Sequence, residues 1–339
     1  MKKSNIFQLK KFNYLIVVVL IFFYSQSSMS ACNNTGYTVL KSDTGVEMCG
    51  KGSTIVQTID LTQGAGIKSL YKEPSLDAYN VELFDTQSTD GFTLKSFSIV
   101  NGTFFDSCCY SYSTPSKLAF ILKEHNKTIT NGYKKSLILG IFGQSARIIA
   151  DTGDYTAFTQ VIGGHNLTEL STRPLNPERR NMVGTNGSKI YILITTSMTV
   201  ANADKLIRAF GATQTMQLDG SGSVRLKSDV TSGNISSSDG RYIPHAIAVL
   251  SKKQQDIAVN IDKCITKYPS YFGAKLGSLH SDCGSGSIAN QLYCQSTSAG
   301  QTDQAKGRKI GISFQPNTTL FWHYSNLYLW RGSLLTSCN

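Results

Sequence analysis

Three stretches of this sequence group residue types able to handle an oxygen-rich anion. The first is Asn101-Gly102-Thr103-Phe104-Phe105-Asp106. Asparagine offers both a donor and an acceptor, glycine lets the chain approach a ligand closely, and threonine adds a hydroxyl. The second is Arg179-Arg180-Asn181-Met182-Val183-Gly184. Arginine is the residue suited to two-point contact with carboxylate or phosphate. The third is Met216-Gln217-Leu218-Asp219-Gly220-Ser221-Gly222-Ser223. It sets an acid at the end of a strand, before a turn of small residues whose successive N–H groups can form a nest for an anion. Taken singly, the three also read as a turn after a strand, a solvated charge pair and a Gly-rich turn. The third is not a phosphate-binding P-loop, because no Gly-Lys-Ser/Thr follows, and it lacks dinucleotide-binding glycine spacing. Nor does Gly220-Ser221-Gly222 complete the Gly-x-Ser-x-Gly elbow of a hydrolase.

These stretches must be positioned by a strand-rich scaffold. Alternation and β-branched content predict strands over 53–61, 79–84, 92–100, 118–122, 137–141, 189–195 and 243–250. Turn chemistry lies between them at Asn131-Gly132, Asp151-Thr152-Gly153 and Asn186-Gly187. The clearest helix spans 200–210: Thr199 can cap it, Ala203, Leu206, Ile207 and Phe210 share a face, and Gly211 stands at its end. A strand over 213–218 follows, ending at the third motif. Strands and helices do not alternate as a doubly wound fold requires. The expected class is α+β, a strand-rich mixed-sheet domain with few helices and a small disulfide-containing C-terminal extension.

With 339 residues, 40% hydrophobic and 16% charged, the chain can bury a sizeable core, which excludes a wholly disordered protein. Residues 1–30 carry Lys2, Lys3, Lys10 and Lys11, no acid, and an apolar run of only eleven residues from Tyr14 to Tyr24. A bilayer span takes about 20 residues, so this segment reads as a signal peptide cleaved after Ser30. The mature chain then keeps 29 basic against 22 acidic residues, and no later segment is apolar enough to remain in a membrane. The basic balance suits an acidic substrate or an anionic envelope. No dense Lys/Arg stripe with interleaved aromatics speaks for nucleic acid.

All eight cysteines lie beyond Ser30, which points to an oxidising compartment, secreted or periplasmic, and to as many as four disulfides. Cys32–Cys49 and Cys283–Cys294 are the local loops that spacing suggests, while adjacent Cys108 and Cys109 are expected to bond to different partners. No His, Cys, Asp and Glu cluster has metal-ligand spacing, so neither metal nor cofactor is expected. Composition shifts near 253. We therefore divide the chain into signal peptide 1–30, a main domain 31–252 and an aromatic-rich extension 253–339. No sequence signal bears on oligomeric state.

In order and spacing, the three motifs resemble the phosphodiester glycosidase domain family. That family carries Asn-Gly-Gly/Thr-Phe-Phe, then Arg-Thr-Ala-Ile/Val-Gly, then Leu-Asp-Gly-Gly-Gly-Ser after a helix. The stretches 101–105, 180–184 and 218–223 match these in turn. The early strand Ile59-Asp60-Leu61 and the closing strand Arg241-Tyr242-Ile243-Pro244-His245-Ala246-Ile247-Ala248-Val249 also look like the family's, so the likeness covers roughly 53–251. Ser221 departs from its middle glycine, and Asn181 and Met182 from its Thr and Ala.

The resemblance implies an exported, bacterial-type hydrolase cleaving the glycosidic bond of a sugar-1-phosphodiester, N-acetylglucosamine-like, on a phosphorylated glycan. It implies catalytic roles for Asp219, Arg180 and Asn101, and substrate contacts from Thr103, Phe104, Gly220, Ser221, Gly222 and Ser223. Asp106 and Asp60 are candidates for a second carboxylate. His165 could serve as an acid, though a structural histidine is the plainer reading. Two other readings stand beside it: a non-catalytic glycan- or envelope-binding protein, and a phosphodiesterase cleaving P–O.

Overall fold

The structure, a computed structural model, describes residues 31–71, 96–106, 116–124, 126–168, 175–230, 233–236 and 242–256, together with the backbone of the short strands Pro74–Ser75, Ala78–Tyr79, Glu82–Leu83, Thr318–His323 and Asn326–Arg331. The signal peptide expected at 1–30, the six cysteines after Cys49, and most of the extension 253–339 lie outside the described residues. Within that extension, Thr318–His323 and Asn326–Arg331 pair as an antiparallel hairpin.

The chain opens with the one-turn helix α1 (Ala31–Thr35), then β1 (Thr38–Asp43), β2 (Val46–Lys51), β3 (Thr54–Asp60) and β4 (Gly66–Tyr71). Next come β5 (Ser98–Asn101), β6 (Leu122–Glu124), β7 (Lys127–Thr130), β8 (Leu137–Phe142), β9 (Ser145–Ala150) and β10 (Gln160–Gly164). The last group is β11 (Glu178–Thr185), β12 (Lys189–Met198), helix α2 (Val200–Ala209), β13 (Gln214–Gln217), β14 (Leu226–Lys227) and β15 (His245–Leu250). They build three sheets, in the orders β1-β2-β3-β12-β11-β13, β7-β6-β10-β8-β9 and β14-β5-β15-β4.

All ladders among the described residues are antiparallel, so the sheets are not mixed as expected. The reason lies in α2. It carries the chain from β12 across β11 to β13, so the two strands that run the same way are kept apart by one that runs against both. The described part is mostly β, with the helices α1 and α2 and a helical turn at 252–256.

Each sheet turns an apolar face to a common core that includes Ile55, Ile59, Ile67, Val100, Leu122, Leu139, Ile162, Val183, Ile194, Leu218 and Val249. The opposite face of the six-stranded sheet is covered by α2. There Ala203, Ile207 and Phe210 pack on Val56, Met182, Tyr191 and Leu193, beside the Cys32–Cys49 disulfide. The helix begins where the sequence indicated: Thr199 accepts a hydrogen bond from the Asn202 N–H at 3.2 Å, and Gly211 ends it in a left-handed conformation. The Asn186-Gly187 turn joins β11 to β12, with the Asn186 side chain accepting from the Ser188 and Lys189 N–H groups.

The strand expected at 118–122 forms only at its end, where β6 starts. Leu118 makes a single bridge to Phe105. Ala119 is braced crosswise, donating to Phe104 O at 2.8 Å and accepting from the Tyr133 and Lys134 N–H groups. Loop contacts take the hydrogen bonds that a ladder would have used.

A buried polar cluster ties the four- and five-stranded sheets together. Glu124 accepts from Gln160 Nε2 at 2.7 Å and sits beside Lys68 and Ser69. Burial pushes its carboxyl up to about 7, against the opposing pull of Lys68 and the hydrogen bonds. The native state therefore holds a proton that the unfolded chain releases near 4.5, and stability falls as pH rises between those values. Glu124→Gln removes this proton linkage. Its melting temperature, followed from pH 5 to 7, is expected to lose less than the parent's, by the equivalent of about 3 kcal/mol at most. Equal slopes would show that the cluster does not titrate. Among the described residues no helix is long and apolar enough to cross a membrane.

Candidate active site

The three motifs meet. β5 delivers Asn101 to the end of its sheet, where the side chain is used at both ends: Nδ2 donates to the Asp219 carbonyl at 2.8 Å, and Oδ1 accepts from the Arg225 N–H at 3.1 Å. Asn181 Nδ2 donates in turn to the Asn101 carbonyl at 2.7 Å, and the Asp219 N–H donates to the Gly102 carbonyl at 3.2 Å. Segments about 80 and 120 residues apart in sequence are thus knitted by side chains and backbone at one place. Asn101 and Asn181 are almost wholly buried.

Strand register places Arg180 opposite Asp219. β11 and β13 pair as Met182↔Gln217, and Leu218 N–H donates to Asn181 O at 2.9 Å, which continues the ladder by one step. The next facing positions are 180 and 219. Side chains alternate along β11: Val183 points into the common core and Met182 toward α2. By that period of two, Asn181 takes the core side and Arg180 the α2 side. The buried Arg180 guanidinium donates from Nε to Met198 O at 3.1 Å and from one terminal nitrogen to Asn176 O at 3.0 Å. Glu178 lies 3.9 Å from its other terminal nitrogen. Arg179 instead reaches the Ser236 carbonyl.

Thr103 is held more tightly than a ligand-facing hydroxyl would need. Its hydroxyl donates to Gly163 O at 2.6 Å, and its N–H donates to His245 Nδ1 at 3.0 Å. The Phe104 ring packs edge-on against His165 and Phe120, with centroids 4.7 and 5.9 Å away. His165 also pairs with Gln217 through both backbone groups.

Asp219 is half-buried, and after it Gly220 leads into a tight turn over Ser221–Ser223. The N–H groups of Ser223 and Val224 are engaged inside that turn, by Gly220 O and Ser221 O. This narrows the expected nest to the start of the turn. Ser221 is exposed with φ +53°, a left-handed conformation that suits glycine. A serine there costs about 1 kcal/mol, partly offset because glycine is freer when unfolded. Ser221→Gly is accordingly expected to raise the melting temperature by about 1–3 °C, read by calorimetry. A lower melting temperature would mean that the serine hydroxyl makes a stabilising contact.

Of the two candidate second carboxylates, Asp60 is engaged elsewhere. It accepts from Thr62 and Gln63 and pairs with Lys189, which together hold its carboxyl below the usual range despite burial. Its strand pairs it with Lys189, at the far end of β12 from Thr195, the partner of Arg180. Asp106 stays close to the first motif, its N–H donating to Lys117 O. One group among the described residues brings metal-ligating atoms together, Cys32, Glu47 and Cys49, but its two sulfurs are joined as a disulfide. That disulfide is the first of the two local loops that spacing suggested.

Asn181 and His245 hold the site together, and sequence reasoning did not single them out. Asn181 stood out only as a departure from a motif, and His245 only as a member of a closing strand.

The phosphodiester glycosidase family matches residues 90–250, a stretch containing all three motifs and the closing strand. No curated protein sequence matches the chain. Among solved structures, the chain is similar to the catalytic domain of zebrafish N-acetylglucosamine-1-phosphodiester alpha-N-acetylglucosaminidase, auto-inhibited by its pro-peptide. Identity is 16%, with 63% of this chain and 81% of that one covered and a TM-score of 0.46. It is also similar to a hypothetical protein from Synechocystis, 12% identical over 63% of this chain and 61% of that one, with a TM-score of 0.40.

Proposed function

From the match of residues 90–250 to the phosphodiester glycosidase family, we propose that the chain hydrolyses the glycosidic bond of a sugar joined through its anomeric carbon to a phosphodiester. The sugar is N-acetylglucosamine-like and the substrate a phosphorylated envelope or extracellular glycan. The observation that carries this reading is the convergence of the three motifs, with Asn101 and Gly102 bonded to the backbone of Asp219 and register setting Asp219 opposite Arg180.

In the reaction, the bond between the anomeric carbon and the phosphate oxygen breaks, and its electron pair leaves with the phosphate. A water oxygen bonds to the anomeric carbon. One water proton passes to Asp219 and on to solvent, giving free sugar and a phosphomonoester. A phosphate leaves readily, so the protein needs little acid assistance at that oxygen. Asp219 stabilises the positive charge that develops on the sugar ring and receives the proton. Arg180, its direction fixed by two carbonyls, supplies positive charge for the anion. The turn of Gly220, Ser221, Gly222 and Ser223 offers backbone N–H groups at its start. Asn101 and Thr103 act through the backbone they hold, and Phe104 walls the site with His165.

The disulfide supports a working place in an oxidising compartment, and we assign the chain to secretion or the periplasm after cleavage at Ser30. We take 31–252 as the hydrolase domain and 253–339 as a separate extension. One observation favours a second reading, glycan binding without turnover: Arg180 already gives two of its nitrogens to protein carbonyls.

Product analysis decides between the readings. The oxidised mature chain is incubated with an N-acetylglucosamine phosphodiester, and the mixture is resolved by mass spectrometry. Free N-acetylglucosamine with phosphomonoester is expected. Sugar phosphate with free alcohol would indicate P–O cleavage, and intact ester with measurable binding would indicate the glycan-binding protein.

A further inference from the structure

His245 begins β15, and its carbonyl accepts from the Gly102 N–H at 2.9 Å. The ring lies directly against Gly102: a Cβ at that position would collide with His245 Nδ1. Only glycine admits the ring so close. The same Nδ1 accepts the Thr103 N–H at 3.0 Å. His245 thus grips the turn that follows Asn101 twice, once by backbone and once by side chain. That turn bonds Asp219 through Gly102 O and, one residue earlier, through Asn101 Nδ2.

Because Nδ1 accepts, the ring proton resides on Nε2. Nε2 has no partner among the described residues, and the side chain is almost wholly buried. A buried histidine with one satisfied nitrogen is poor economy for packing alone, where a leucine or phenylalanine would avoid the loss of an unpaired N–H. What the histidine offers over an apolar residue is the acceptor for Thr103.

We propose that His245 is the positioning residue of the sugar-phosphodiester site, its Nδ1 fixing the 101–103 turn and through it the backbone of Asp219. The inference rests on the reading of the site as a hydrolase. His245 touches no reacting atom; it acts through Gly102 and Thr103. Protonation would turn Nδ1 from acceptor into donor and set two donors face to face. Burial holds the ring neutral, down to about pH 3, so the grip persists over the ordinary working range. The titratable groups packed on this turn and on His245 come from four places: Asp219 and Arg225 meet the turn through bonds to the backbone and side chain of Asn101 and to Gly102 O, His165 lies against Phe104, and Tyr71 faces His245 across β4 and β15.

The test uses three variants of the full mature chain, each assayed for kcat and KM on an N-acetylglucosamine phosphodiester and for melting temperature. In His245→Asn the amide oxygen overlays Nδ1 and still accepts from Thr103. In His245→Gln the polar end overlays Nε2 instead. His245→Leu removes both. The expected result is kcat within about threefold of the parent for Asn, and a loss of about 30-fold or more in kcat, with KM little changed, for Gln and Leu. The pH profile of kcat between 5 and 8 should keep its shape in His245→Asn. Comparable kcat in Leu and parent would overturn the inference, as would rescue by Gln rather than Asn. If a variant melts far below the others, kcat is compared at a temperature where all remain folded. A parent that is inert on sugar phosphodiesters would instead sink the hydrolase reading and this inference with it. A parent that is active while all three variants match it would sink the inference alone.

Discussion

Asp219→Asn is expected to abolish hydrolysis of sugar phosphodiesters, by about 1,000-fold or more in kcat, while leaving the protein folded. Two contacts that hold this position are made by its backbone: the N–H donates to Gly102 O and the carbonyl accepts from Asn101 Nδ2. Asparagine keeps both. What it loses is the negative charge at this position and the ability to receive a proton. Removing charge stabilisation and proton acceptance from one group costs about 4 kcal/mol or more in the barrier, which is the rate loss stated. The melting temperature should stay within a few degrees, because the side chain is half-buried rather than part of the core. Variant kcat within tenfold of the parent would remove Asp219 from the chemistry.

Asn101→Ala is expected to damage both stability and activity. Asn101 is 1% exposed, and its amide satisfies the Asp219 carbonyl and the Arg225 N–H at once. Alanine leaves two buried backbone groups unpaired, at about 1–3 kcal/mol each. A total near 3 kcal/mol would lower the melting temperature by about 6–12 °C in a domain of this size. Activity should fall even at temperatures where the variant is folded, since the backbone of Asp219 then loses one of its two anchors. Thermal unfolding and a folded-state rate, measured together, separate the effects. A variant that melts like the parent would mean that water or a shifted side chain replaces the amide.

Local signals in the sequence were enough for local structure. The α2 helix could be read from Thr199, the apolar face at Ala203 and Ile207, and Gly211 after it, because capping and periodicity act within a few residues. The turn at Asn186-Gly187 ahead of β12 could be read for the same reason. The loop contacts that replace a ladder at 118–121 were not legible. They depend on Phe104, Tyr133 and Lys134, which approach only once the chain has folded. Sheet direction was missed likewise, since the pattern of strands does not reveal that α2 steps over β11.

The candidate site divides along the same line. Its motif residues were visible as clusters of chemically capable side chains, and the structure does bring the clusters together. The residues that hold them were not visible. Asn181 meets Asn101 across 80 positions and His245 meets Thr103 across 142, and no spacing rule reaches that far. Asn101 and Thr103 looked like ligand-facing groups, yet their side chains bond protein atoms. Ser221 looked like a change of chemistry at a glycine position, and its left-handed backbone makes it a change of conformational cost as well.

The central claim is that the bond broken is the one between the anomeric carbon and oxygen. Hydrolysis of an N-acetylglucosamine phosphodiester in water enriched in oxygen-18, with both products weighed by mass spectrometry, tests it most directly. The account predicts one heavy oxygen in the released sugar and none in the phosphomonoester. Heavy oxygen in the phosphate-bearing product would show that water attacked phosphorus, and would contradict the account.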